Sequence, residues 1–249
     1  MGSRTQIDGF IDMSLHADGV EGVQRLCAAL GEAYGFDHFI YGASFPTSLI
    51  KPAVLVISGH PEAWRDHYQA CGYLAVDPAV QHCTRSIRPL IWQDLMLDPK
   101  IDEKPFTVMQ EAREFGLVSG VSLSIRGSRG ELGVLSFSSE RTAQQTRSEI
   151  DSAIPDLYLL SAYVHEAVGR LVTQGSLPFN RPELTAREHE CLLWAAEGKT
   201  SWEIARILGI SERTAIFHLQ NAARRLNASS RQQAVARAVS QGLISLQLG

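Results

Sequence analysis

Gly198, Lys199 and Thr200 stand side by side, and a glycine, a lysine and a hydroxyl in that order end the loops that hold nucleotide phosphates. Such a loop also needs a glycine five positions before the Gly-Lys pair, so that backbone amides can curl around the phosphates, and it must follow a strand. Leu193 holds that position, and Thr185 to Ala196 reads as helix, with Cys191, Leu192, Ala195 and Ala196 apolar. The triplet must serve another phosphate. Gly209, nine residues after Thr200, hinges two short helical patterns. Two short helices joined by a tight turn containing Gly make a helix-turn-helix, whose second helix lies in the major groove of DNA. Within 211–226, Ala215, Leu219, Ala222 and Leu226 recur at helical spacing and form the stripe that buries against the rest of the module. The outward candidates are Arg213, Thr214, Ile216, Phe217, Gln220, Asn221, Arg224 and Arg225. Gln and Asn pair with adenine, Arg pairs with guanine or phosphate, and an apolar pair suits a thymine methyl or a sugar. His218 lies beside the buried stripe and reads as a packed histidine ahead of a base contact. Lys199 and Thr200, with the free amides of the first helix, suit a backbone phosphate. On this reading the phosphates are those of double-stranded DNA.

The elements that must position these residues are all helical. Thr185 can cap a helix to Ala196, Thr200 a second to Leu208, Ser211 a third with Glu212 in its first turn, and a fourth runs from about Ser230 to Gln241 before Gly242. Charge agrees with the division. Residues 176–249 carry nine Lys and Arg against six Asp and Glu, and residues 1–175 carry 14 against 21, so the net −4 hides a basic tail on an acidic body. GSLPFNRPEL, residues 175–184, has the Gly, Ser, Pro and Asn content of a linker. Domains are therefore expected at 1–174 and 185–249.

Ahead of the linker, helix and strand patterns mix. Residues 21–34, 61–72, a stretch after Asp77-Pro78, 103–115 and 142–172 read as helices, the last interrupted at Pro155. Residues 36–45, 53–58, 89–92, 118–127 and 131–139 read as strands, the last two forming a hairpin. The expected fold is α+β: an N-terminal α/β/α sandwich around an antiparallel sheet, followed by an all-α helix-turn-helix domain. No apolar run is long enough to span a membrane. The N-terminus lacks the order of a secretory signal. The four cysteines, at 27, 71, 83 and 191, fit neither a metal site nor a disulfide framework. A cytoplasmic location is expected. The histidines at 16, 38, 60, 67, 82 and 165 are scattered, and no nucleophile or paired-carboxylate pattern points to catalysis. His60 and His67, seven apart, could share a helix face.

The stretch LTAREHECLLWAAEGKTSWEIARILGISERTAIFHLQNAARRLN closely resembles the C-terminal DNA-binding module of LuxR-type regulators, with that family's characteristic positions at Glu188, Leu192 and Gly198. Ile216 departs from the polar or basic residue common there. HPEAWRDHYQACGYLAVDPAV and RPLIW resemble the autoinducer-binding domain of the quorum-sensing branch, closest to its long-chain receptors. The resemblance implies an acyl-homoserine lactone ligand of medium to long chain, with or without a 3-oxo group, and no cofactor or metal. It carries ligand contacts to Trp64, Tyr68, Asp77 and Trp92, with Gly120 as a close-packing position and Arg65, Ser122 and Ser136 as further candidates. Trp64 N–H would donate to the ring carbonyl, Asp77 would accept the amide N–H, Tyr68 would donate to the amide carbonyl, and Trp92 would wall the ring. From spacing alone, two Trp, a Tyr and a capping Asp would serve equally to build a core. The resemblance also implies a homodimer on an inverted-repeat operator, formed through the helix around 154–171 and an apolar strip of Ala234, Val235, Ala238 and Val239.

Overall fold

The computed structural model describes residues 2–48, 51–97, 103–128, 130–176 and 182–244. The chain forms two compact units. One holds Met1–Ala43, Val54–Gly127 and Leu132–Leu177, and the other holds Pro178–Gly249 with Ser44–Ala53 and Ser128–Glu131. The expected linker at 175–184 includes residues 177–181, which lie outside the described residues.

The first unit runs α1 (Gly2–Leu15), α2 (Gly19–Ala33), β1 (His38–Phe45), β2 (Ala53–Ser58), α3 (Glu62–Ala70), a 3-10 turn (Tyr73–Ala75), α4 (Pro78–Arg85), β3 (Leu90–Ile91), α5 (Trp92–Met96), α6 (Glu103–Glu114), β4 (Ser119–Arg126), β5 (Leu132–Ser139) and α7 (Ala143–Thr173). The five strands form an antiparallel sheet in the order β2-β1-β5-β4-β3. Strand alternation sorts its two faces. On one face Phe39, Tyr41, Val121, Leu123, Leu135 and Phe137 are buried, and the α7 stripe of Leu157, Leu160, Val164, Val168 and Leu171 packs there with α2. On the other face α4 and α5 pack against β4. A separate apolar cluster forms there, of Trp64, Trp92, Val108, Met109, Ala112 and Leu117, with Tyr68, Tyr73 and Phe115 against it. The α/β/α arrangement expected from the sequence is the observed one.

Two local expectations are corrected, and one helix is added. Pro155 does not interrupt the long helix, because α7 runs unbroken for 31 residues. Proline removes one backbone bond and crowds the carbonyl four residues before it. Pro155 is solvent-exposed, and the buried stripe continues on both sides of it, at Ile150 and Ala153 and again from Leu157. The 89–92 strand is only Leu90–Ile91, and Trp92 opens α5. Helix α1 was not expected, for it buries little beyond Phe10 and Ser14 and so has almost no apolar stripe to read. Arg170 secures its end by donating to Ser14 O at 2.7 Å.

In the second unit α8 (Ala186–Ala196), α9 (Ser201–Leu208), α10 (Glu212–Arg225) and α11 (Arg231–Ser240) enclose Leu192, Ile204, Ala215, Leu219, Ala222 and Leu226. Capping boxes close α8 with Thr185 and Glu188 and α9 with Thr200 and Glu203, and Ser211 caps α10. Gly209 ends α9 at φ 65°, the left-handed conformation that glycine adopts without steric cost. The proposed dimer strip on the last helix divides. Ala234 and Ala238 are fully buried within their own unit, and Val239 is exposed. Among the described residues no helix is long and apolar enough to cross a membrane.

Candidate functional site

Trp64 and Tyr68 lie one helical turn apart on α3, so they share a face, with ring centroids 5.6 Å apart. Trp64 is buried, and its indole meets Tyr68, Tyr73, His67 and Phe115. The Tyr68 hydroxyl donates to Asp77 Oδ2 at 2.8 Å. Asp77 is the N-cap of α4, and its Oδ1 accepts from Ala79 N at 2.8 Å and Val80 N at 3.3 Å. Burial pushes the Asp77 carboxyl up, and the three hydrogen bonds only partly pull it back. Burial and the neighbouring Asp77 push the Tyr68 phenol up as well, so it stays a donor. In the folded chain the Tyr68 proton therefore goes to Asp77, a partner that sequence spacing alone does not show.

A second chain of polar contacts crosses the same cluster. Trp92 Nε1 donates to Ser122 Oγ at 2.9 Å, and Ser122 Oγ lies 2.7 Å from Ser136 Oγ. Ser122 and Ser136 are direct cross-strand partners on β4 and β5. A side chain at Gly120 would put its Cβ 2.5 Å from Phe137 O and 3.1 Å from the Trp92 ring, so only glycine lets Trp92 come this close to the strand. Trp64, Tyr68, Asp77, Trp92, Gly120, Ser122 and Ser136 thus gather on one face of the sheet, whereas Arg65 is exposed on α3.

Sequence reasoning passed over one neighbouring group and misplaced another. Glu111 accepts from His67 Nε2 at 2.6 Å and from the Tyr73 hydroxyl at 2.5 Å. Those two bonds hold its carboxyl below the usual range. His60 does not share a helix face with His67. It precedes α3, and its ring stands edge-on to His38, with centroids 6.4 Å apart.

In the second unit the outward side of α10 exposes Arg213, Ile216, Phe217, Gln220 and Arg224, with Asn221 and Thr214 half-buried. Ile216 and Phe217 form exposed apolar surface on α10, and the Phe217 ring stands edge-on to the neighbouring His218, with centroids 5.7 Å apart. Arg225 is committed elsewhere. It pairs with the buried Glu188 carboxylate at 3.1 Å and donates to Glu183 O at 3.3 Å. Burial pushes the Glu188 carboxyl up, but bonds from Thr185 and the charge of Arg225 leave it below the usual range. Leu192 is wholly buried, and Gly198 has φ 80°. The three characteristic positions are thus a cap and ion pair, a core residue and a left-handed turn. The expected role of Thr200 changes. Its hydroxyl and backbone N–H both donate to Glu203, at 2.8 and 2.7 Å, so neither is open to a phosphate, and Thr214 is likewise engaged with Ser211. Lys199 remains available beside that cap, half-buried, with its carbonyl held by Arg231.

Residues 19–168 match the model of the autoinducer binding domain, and residues 182–238 match that of the bacterial regulatory proteins of the luxR family. The chain belongs to the LuxR family. It joins an autoinducer-binding domain to a DNA-binding domain, which is the build of a ligand-dependent transcriptional regulator and not of an enzyme. The transcriptional activator AnoR of Acinetobacter nosocomialis is 38% identical over 210 residues, spanning 84% of this chain and 87% of its own. Among solved structures, SdiA in complex with octanoyl-rac-glycerol is 28% identical with a TM-score of 0.78, covering 99% of this chain and 98% of its own. The N-acylhomoserine lactone dependent LuxR family factor CepR2 of Burkholderia cenocepacia is 25% identical with a TM-score of 0.55, covering 67% of this chain and 95% of its own.

Proposed function

We propose that this LuxR-family chain is a cytoplasmic transcription factor gated by an acyl-homoserine lactone held between the sheet and α3–α6. The observation that carries the reading is the Tyr68–Asp77 bond beside the Trp64 indole. The ligand amide brings both halves of an exchange. Its N–H takes the Asp77 Oδ2 acceptor, and its carbonyl takes the hydroxyl proton that Tyr68 thereby releases. Every polar group stays satisfied through the exchange, which a buried site requires. Trp64 N–H serves the ring carbonyl, and Trp92 walls the ring. Strand alternation puts Val54 and Val56 opposite the buried Ile57, and they are exposed by 50 and 56%. They offer the acyl chain apolar surface at the edge of the sheet.

The ligand-bound chain is a homodimer that reads an inverted repeat with half-site centres about 10 base pairs apart. The exposed Tyr158 and Leu159 of α7 and Val239 of α11 support the dimer contacts. Lys199 and Arg224 serve phosphates, and Arg213, Gln220 and Asn221 serve bases, with Ile216 and Phe217 against the groove wall. The test is mass spectrometry of the organic extract of the full chain, produced with a panel of acyl-homoserine lactones. One lactone retained in equimolar amount supports the reading. A retained monoacylglycerol, the kind of ligand in the SdiA complex, would replace it, and an empty extract would oppose ligand gating.

A further inference from the structure

The second turn of α10 carries Ile216 and Phe217. A helix repeats every 3.6 residues or about 100° per residue, so the buried stripe fixes where each side chain stands. Ala215, Leu219, Ala222 and Leu226 face the core of the unit, and Arg213, Phe217, Gln220 and Arg224 stand opposite them. Ile216 lies on the flank between these two rows, 38% exposed, with the exposed Arg213 one turn before it and the exposed Gln220 one turn after. The major groove is about as wide as a helix with its side chains, so the flank of a helix lying in it also meets base edges.

Its neighbours carry hydrogen-bond donors, whereas Ile216 offers only methyl and methylene groups. Branching at Cβ restricts it to essentially one side-chain conformation in a helix, so its apolar surface is preset. The edges of the bases in the major groove are donors and acceptors, and the C5-methyl of thymine is the apolar group that marks one base there. An aliphatic side chain discriminates twice. It gains by covering that methyl, and against guanine O6 and N7 or the cytosine amino group it displaces water and returns no hydrogen bond. Phe217 is the broader group, with its ring edge-on to His218, and suits a sugar or the groove wall.

We propose that Ile216 is a specificity-determining residue that selects a pyrimidine bearing a C5-methyl group, thymine or 5-methylcytosine, at one position of each half-site. The proposal rests on the placement of α10 in the major groove given above, and it is independent of which ligand the first unit holds. Arg213 and Gln220 bracket Ile216 along the helix, so the methyl-bearing base lies inside the half-site and not at its end.

The test starts from duplexes that the full chain selects out of a randomised DNA pool, using preparations grown with a panel of acyl-homoserine lactones and one grown without. Each thymine of the selected duplex is then replaced in turn by deoxyuridine, which keeps the base pair and removes the methyl alone. Burying one methyl group is worth roughly fourfold in affinity, so uracil at one position of a half-site should weaken binding by about that factor. Ile216→Ala should weaken binding to the thymine duplex similarly and abolish the uracil penalty at that position. Alanine is the strongest helix former, so the variant keeps α10 intact. With cytosine at the same position, 5-methylation should restore binding to the parent several-fold and leave Ile216→Ala unmoved. Equal affinity for every uracil duplex overturns the proposal. So does a uracil penalty that survives in Ile216→Ala, or one that disappears only in Phe217→Ala. Failure of every preparation to select a sequence overturns the major-groove reading of α10 itself.

Discussion

Asp77→Asn separates the ligand's needs from the fold's. Asp77 uses one oxygen to cap α4, accepting from Ala79 and Val80, and the other to accept from Tyr68. Asparagine has one carbonyl oxygen and one amide nitrogen. As an N-cap it ranks with aspartate, so its oxygen stays on the helix terminus. Its NH2 then faces Tyr68, whose hydroxyl can turn and accept, so the folded state loses little. Charge adds to this. The Asp77 carboxyl is pushed above its ordinary range by burial, so the charged form is disfavoured in the folded chain. Its stability contribution is therefore greatest at low pH and declines as pH rises past the ordinary carboxylate range, and removing the charge at neutral pH relieves that burden. The ligand amide N–H fares differently, because it meets a donor where it met a carboxylate. The lost charged hydrogen bond is worth about 1.5–3 kcal/mol, roughly tenfold to a hundredfold in affinity. Asp77→Ala, by contrast, also removes the cap, at about 1 kcal/mol, which lowers Tm by roughly 2–4 °C. Thermal melts of the unliganded chains and lactone dose-response curves give both quantities. An Asp77→Asn curve that overlays the parent, or a melting loss matching that of Asp77→Ala, would refute the reasoning.

Lys199→Ala should weaken binding to operator and to unrelated DNA by the same factor and make the slope of log affinity against log salt shallower by about one, as a phosphate contact requires; a loss confined to one base position would assign Lys199 to a base. Glu188→Gln should cost roughly 1–2 kcal/mol in urea unfolding at pH 7, through the cap and the Arg225 pair. Because the Glu188 carboxyl lies below its usual range, that deficit should be present above the ordinary carboxylate range and shrink as pH falls through it and below. Gly120→Ala should destabilise by about 1–3 kcal/mol and change Trp92 fluorescence, since its Cβ collides with Phe137 O and the indole.

Signals that act within a few residues were readable from the sequence. Thr185, Thr200 and Ser211 cap the helices they precede, and Gly209 ends α9, because capping and positive φ are decided by adjacent residues. Alternation gave β1, β4 and β5 for the same reason. What failed depended on packing or on which partner a polar group finds. Pro155 sits in an unbroken helix because a buried stripe on either side outweighs one lost backbone bond. The Thr200 hydroxyl, assigned to a phosphate, is taken by Glu203 three residues on, although that spacing was visible as a capping box. Arg225 lies on a helix full of DNA candidates, yet Glu188, 37 residues earlier in the chain, holds it. The Tyr68–Asp77 bond and the His38–His60 contact join elements whose approach no local pattern encodes.

The most direct measurement is operator binding by the full chain synthesised with and without a saturating acyl-homoserine lactone. A ligand that binds only the folded state adds about 4 kcal/mol at a thousandfold excess over Kd. Soluble dimer and tight operator binding are therefore expected from the lactone-grown preparation, with a higher Tm, and little of either from the other. Equal yield, equal Tm and equal operator affinity in the two preparations would contradict ligand gating.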